Sequence, residues 1–208
     1  MKQVVVAGIG TGVGKTVISA ILTEAMEADY WKPIQAGDLE NSDTLMVQNL
    51  VSNKKSVFHP ERYRLKSPMS PHAAAKRDAV EIKLNDLILP TTKNALIIEL
   101  AGGLMVPLND EILNIDLLKK WKTPVIVVSK NYLGSINHTL LSNELLKTRQ
   151  VPVLGIIFNG EQNNDSEEFI LAYSNLPCLA RIKEISELNK KSIKEAASLL
   201  KPMLNNII

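Results

Sequence analysis

Cysteine occurs once in the 208-residue chain, at Cys178, which excludes an internal disulfide and suits a reducing, cytoplasmic setting. Cys178 stands in a short apolar stretch and reads as a packing residue, not a nucleophile. Clustered cysteine or histidine ligands are missing, since the three histidines stand apart at 59, 72 and 138; a zinc centre is not expected. No apolar run reaches spanning length, so no transmembrane helix is expected. One basic residue, Lys2, ahead of a strand that starts almost at once does not make a signal peptide. An excess of charge is lacking too: 24 basic against 22 acidic residues leave +2, no electrostatic case for nucleic acid. Repeats, low-complexity tracts and linkers are absent, and 1–208 reads as a single domain large enough for a full core.

Present instead is GIGTGVGKT at residues 8–16, after the apolar Val4-Val5-Val6-Ala7 and before a helical pattern. Glycine-rich backbone can wrap a polyphosphate without Cβ clashes. The helix opening near Lys15 presents free N–H groups and a positive dipole end to the same anion. Lys15 is placed to reach the β- and γ-phosphates, and the Thr16 hydroxyl to ligate Mg²⁺. The spacing is unusual, with Ile9 where the common loop has its first glycine. The nucleotide-binding set is Gly12, Val13, Gly14, Lys15, Thr16 and Val17.

Apolar runs alternate with helical patterns. Strands are expected at 3–8, 30–34, 95–100, 124–129, 153–159 and 178–182, and helices at 15–28, 115–121, 135–149, 167–173 and 192–204. A further helix is expected to run from the N-cap Ser42 through Leu50. The proline-bearing stretch 51–93 is less regular, with short helices at 71–77 and 83–89. Near-continuous apolar strands between helices specify an α/β fold: a doubly wound, mostly parallel sheet flanked by helices, of the P-loop NTPase type. Ligands of such sheets bind beyond the carboxyl ends of the strands.

The residues that follow the strands are therefore the candidates. Lys32 adds a second cation near a transferring phosphoryl group. Asp43 and Glu99 are the carboxylates best placed for Mg²⁺, although Asp43 also suits a helix N-terminus. Glu99 follows four apolar residues, so it is paired, metal-bound or out at a strand tip. Leu133-Gly134-Ser135 opens a helix whose free N–H groups form a second anion site, with Asn137 and His138 in its first turn. His138 is read as a structural hydrogen-bonding residue. Asn159 either reads a nucleobase edge or makes a turn, and His72 either faces substrate or caps its neighbour.

Taken in order, these elements resemble the dethiobiotin synthetase family of biotin biosynthesis. The likeness rests on G-x-x-T-x-V-G-K-T-x-x-S from Gly8 to Ser19, Lys32-Pro33 with Gly37, and Asn41-Ser42-Asp43. It continues through Ser70-Pro71-His72-Ala73-Ala74, Glu99 with Ala101-Gly102-Gly103 and Pro107-Leu108, and Leu133 to His138. The resemblance implies a homodimer that carboxylates 7,8-diaminopelargonic acid with CO₂ and closes a cyclic urea, with MgATP as co-substrate. An amine takes up CO₂ to give a carbamate, which attacks the γ-phosphate to form a carbamic–phosphoric anhydride. The second amine then closes the ring and expels phosphate. By the same likeness Lys15 and Lys32 are catalytic, Thr16, Asp43 and Glu99 hold the metal, and Thr11 contacts substrate. Leu133, Gly134, Ser135 and Asn137 of a partner subunit then take its far carboxylate. The chain departs from the family at Ala36 (usually a hydroxyl residue), at Leu100 (commonly glycine) and at Ile182-Lys183, where the family often has Ile-Pro. A partitioning or positioning ATPase is the rival reading, but those proteins carry an extra lysine where this chain has Gly10. A glutaminase-coupled synthetase needs more chain than is present, and a small-molecule kinase is a further alternative.

Overall fold

The computed structural model describes residues 3–204. Seven parallel strands form the main sheet in the order β4-β2-β6-β1-β7-β8-β9. They are β1 (Gln3–Gly8), β2 (Asp29–Trp31), β4 (Phe58–His59), β6 (Leu96–Gly103), β7 (Val125–Lys130), β8 (Val153–Asn159) and β9 (Cys178–Ile182). A separate two-stranded parallel sheet pairs β3 (Ile34–Ala36) with β5 (Tyr63–Leu65).

Alternation along each strand sends side chains to opposite faces. Val4, Val6, Ile97, Ile126 and Val128 pack with Ile18, Ile21 and Leu22 of α1 (Lys15–Met26) and with Ile193, Ala197 and Leu200 of α7 (Lys190–Leu204). Val5, Ala7, Ile98, Val125 and Val127 pack with α4 (Asn114–Trp121), α5 (Ser135–Thr148) and α6 (Asn164–Ser174) on the other side. Both faces are thus covered, as the doubly wound reading requires. Among the described residues no helix is long and apolar enough to cross a membrane. Cys178 is half-buried against the core, and burial pushes its thiol up.

Ser42 caps α2 (Asp43–Leu50), its hydroxyl accepting from Leu45 N–H at 3.4 Å, and α3 runs Pro71–Arg77; both agree with expectation. Three readings need correction. The strand expected at 30–34 is two strands, because Pro33 has no N–H for a ladder. Its carbonyl instead accepts from Arg62 and Tyr63 N–H, which starts the small sheet. The helix expected at 83–89 is a single 3-10 turn, Leu84–Asp86: Pro90 disfavours a helical Leu89, and Asp86 is held by Arg62 and Tyr63. Stretch 51–93 also supplies β4 and β5, too short to give a periodic signal.

Candidate functional site

The topology turns at β1. The chain goes from β1 to β2 on one side and later crosses from β6 to β7 on the other side of β1, which leaves a crevice at the carboxyl ends. The loop leaving β1 crosses this end with Gly12 at φ 74° and Gly14 at φ 94°, a region that costs other residues. Gly14 has a steric reason as well: an added Cβ would lie 2.1 Å from Asn159 Nδ2, and that amide donates to Val13 O at 2.9 Å. Asn159, at the tip of β8, therefore braces the phosphate loop. Gly14→Ala should break this contact, and nucleotide affinity should fall at least about tenfold in calorimetric titration, the scale of one lost hydrogen bond plus backbone strain.

Helix α1 starts at Lys15 with no side-chain cap on its N-terminus, so its first N–H groups remain available to an anion. Val17 is half-buried in that first turn. The Lys15 ammonium folds back over the loop and donates to Gly10 O at 2.8 Å. Burial pulls its pKa down to about 8, against the carboxylate of Glu99 and with the help of the Lys32 charge. A phosphate contact from Lys15 would need the ammonium form, so metal-free ADP should then bind about tenfold more weakly at pH 9 than at pH 7. A flat profile in calorimetry would remove Lys15 from the phosphate contact.

Four further side chains converge beside the loop. Thr16 Oγ1 lies 3.0 Å from Asp43 Oδ1 and 2.9 Å from Glu99 Oε1. Lys32 Nζ donates to Asp43 Oδ2 and, at 3.3 Å, to Glu99 Oε1. Tyr30 hydroxyl donates to Glu99 Oε2 at 2.8 Å. Glu99 is 1% exposed and Lys32 6%. Burial opposes the Lys32 charge, but Glu99 and Asp43 outweigh it and hold its pKa above the ordinary lysine value. Burial and the neighbouring Glu99 charge hold the Tyr30 phenol well above its usual range, so it remains a donor.

The donor set fits Mg²⁺. One hydroxyl and two carboxylates meet within about 3 Å, and the single Thr16 proton can serve only one carboxylate oxygen. A hard divalent ion suits such oxygens, with phosphate and water completing its shell. Thr11, Lys32, Ala36, Asp43, Ser70 and Gly102 border an adjoining cleft of about 460 Å³.

A family model described as an AAA domain matches residues 2–192. The ATP-dependent dethiobiotin synthetase of Christiangramia forsetii is 49% identical over 206 residues, 99% of each chain. That of Cytophaga hutchinsonii is 47% identical over 194 residues, covering 93% of this chain and 94% of the relative. The chain belongs to the ATP-dependent dethiobiotin synthetase family. Solved structures share its fold at low identity. A putative plasmid partition protein of Borrelia burgdorferi bound to AMPPNP superposes with TM-score 0.61 at 13% identity, over 99% of both chains. The septum site-determining protein MinD of Pyrococcus horikoshii with Mg-ADP gives 0.60 at 16%, over 97% of this chain and 89% of that one.

Within this synthetase-family chain, Thr11, Lys15, Thr16, Lys32, Asp43 and Glu99 come together, but Leu133, Gly134, Ser135 and Asn137 do not join them. Leu133, Gly134 and Asn137 border a different hollow of about 840 Å³, and Ser135 is buried in the first turn of α5. Leu133 is fully exposed at its rim. A third hollow of about 390 Å³ is lined by Thr11 together with the exposed Met105 and Leu141. Of the departures from the family, Ala36 lines the cleft, Leu100 is core, and Lys183 borders an open hollow after β9. Sequence reasoning missed Tyr30. The available signal was only a tyrosine in an apolar strand, since its pairing beside the strand that carries Glu99 is set by the β2–β6 register.

Proposed function

We propose that the protein is an ATP-dependent dethiobiotin synthetase: it joins CO₂ to 7,8-diaminopelargonic acid and closes the urea ring, releasing ADP and phosphate. The observation that carries this is the Lys32 ammonium bonded to Asp43 and Glu99, the same two carboxylates that hold the Thr16 hydroxyl of the phosphate loop. Holding ATP calls for the loop alone; a second buried lysine beside it suits phosphoryl transfer to a weak nucleophile.

The chemistry follows from charge. A carbamate oxygen approaching a γ-phosphoryl group meets like charge, so alignment and neutralisation carry the step. The phosphate-loop N–H groups of Gly12, Val13 and Gly14 and the start of α1 at Thr16 and Val17 bind the polyphosphate. Lys15 swings from Gly10 O to the β- and γ-oxygens. Lys32, fixed between its carboxylates and bordering the cleft, draws the carbamate oxygen toward phosphorus and stabilises charge on the three equatorial oxygens. Thr16, Asp43 and Glu99 would hold Mg²⁺, which would supply there the neutralisation of phosphate charge. The carbamate oxygen forms its bond to phosphorus as the bond to ADP breaks. The second amine attacks the anhydride carbonyl, losing a proton, and phosphate leaves. Asn159, already bound to the loop, is set beside the base.

We place the working unit as a cytoplasmic homodimer. Met105 and Leu141, exposed together at one hollow, and Leu133, exposed at the rim of another, leave apolar surface uncovered on one chain, the kind of surface an interface covers. The uncapped N-terminus of α5, with Leu133, Gly134, Ser135 and Asn137, would then take the far carboxylate of substrate bound by the other copy, with Thr11 near the reacting end. Fold likeness to partition and septum-positioning proteins carries no function at 13–16% identity.

The test supplies diaminopelargonate, bicarbonate, Mg²⁺ and ATP and follows phosphate. Release should require the diamine, and sedimentation should give a dimer. ATP hydrolysis indifferent to the diamine would overturn the reading.

A further inference from the structure

Tyr30 takes no part in the chemistry above, yet its hydroxyl ends at the centre of the site. Its strand explains the reach. β2 pairs with β6 in parallel, Tyr30 opposite Ile97, so Tyr30, Ile97 and Glu99 point to one face of the sheet. Tyr30 and Ile97 pack in the apolar layer under α1. Glu99 stands one pleat repeat further toward the carboxyl end, the diagonal distance an aromatic side chain spans. Tyr30 is 0% exposed, and its hydroxyl donates to Glu99 Oε2 at 2.8 Å. Thr16 and Lys32 both meet the other oxygen, Oε1.

That division of the carboxylate has a consequence. A carboxylate at the end of a two-carbon side chain can turn about its last bond, since that torsion has only broad, two-fold wells. Here one oxygen is occupied by a donor that is itself buried and needs an acceptor. The turn is blocked, and Oε1 is left facing the hydroxyl of the phosphate loop. We infer that Tyr30 is a positioning residue for the metal site: it holds Glu99 so that a single carboxylate oxygen is presented beside Thr16 and Asp43. Outer partners of this kind typically change metal affinity about 10–100-fold when removed. The inference rests on the reading of Glu99 as a metal ligand.

The test replaces Tyr30 by Phe, which keeps the ring in the apolar layer and removes only the hydroxyl, with Glu99→Gln alongside. Mn²⁺ serves as the probe, titrated into the ADP complex of the whole protein and followed by electron paramagnetic resonance. ADP affinity without metal is measured by calorimetry, and melting temperature reports the fold. Tyr30→Phe should raise the Mn²⁺ Kd about tenfold while metal-free ADP affinity stays within about twofold. A purely structural role would lower the melting temperature and leave the Mn²⁺ Kd unmoved. An unmoved Kd in Tyr30→Phe beside a raised one in Glu99→Gln overturns the positioning role and spares the metal reading. No change in Glu99→Gln removes Glu99 from the metal site, and the role of Tyr30 goes with it.

Discussion

Lys32→Ala should lower diamine-dependent phosphate release about 10³-fold while ATP still binds within a few-fold of the parent. The size follows from what is lost, a preorganised cation aimed where transferring charge accumulates; removing one such group costs about 10²–10³ in rate, and more for the most effective phosphoryl clamps. ATP binding is spared because the loop N–H groups and Lys15 remain. The same substitution should be felt in the free protein. Lys32 answers both Asp43 and Glu99, and stripping one partner from a buried pair typically costs about 3–5 kcal/mol. The metal-free variant should therefore melt several degrees lower, and MgATP should recover part of that loss by binding only the folded state. Lys32→Ala with near-normal turnover would remove the second cation from the chemistry.

The parts of this site that were legible in the sequence are those whose chemistry is local or stands at a strand end. The phosphate loop declares itself within nine residues, because strand, glycines, lysine and helix are contiguous. Lys32 and Glu99 could be picked out because each closes an apolar run or follows one, and Asp43 because it opens the helix after the second strand; a parallel sheet gathers such ends at one edge. Two kinds of feature were hidden. Tyr30 reaches Glu99 only through the β2–β6 register, which a sequence does not state; its aromatic ring and apolar neighbours read as core, and the core is where most of it lies. Residues 51–93 were hidden for another reason. Strands of two and three residues give no period, and prolines at 60, 68, 71 and 90 suggest only irregular chain. The start of α5 shows a mixed case. Gly134 and Ser135 opened a helix as expected, but only the family likeness, which gives this turn to substrate on a partner subunit, indicated that Gly134 would border a separate hollow away from Lys32.

Lys15→Ala should act at an earlier stage than Lys32→Ala, and the contrast between the two is the sharper test. Lys15 comes from the turn that the polyphosphate itself occupies, and in the free protein its ammonium rests on Gly10 O, so the cost of turning it toward phosphate is one exchangeable hydrogen bond. A charge-assisted contact of this type is worth up to about 3 kcal/mol, or about 100-fold in affinity. Calorimetry should therefore show ATP binding weakened by that order, and turnover should be abolished even when added ATP restores occupancy, because the same ammonium also neutralises the phosphoryl group in transit. Stability should change little or rise, since burial already works against this charge and alanine removes that opposition. If Lys15→Ala bound ATP as well as the parent did, the glycine loop would be holding something other than phosphate. If it lost binding but regained full rate at saturating ATP, Lys15 would serve affinity alone and Lys32 would carry the transfer without it.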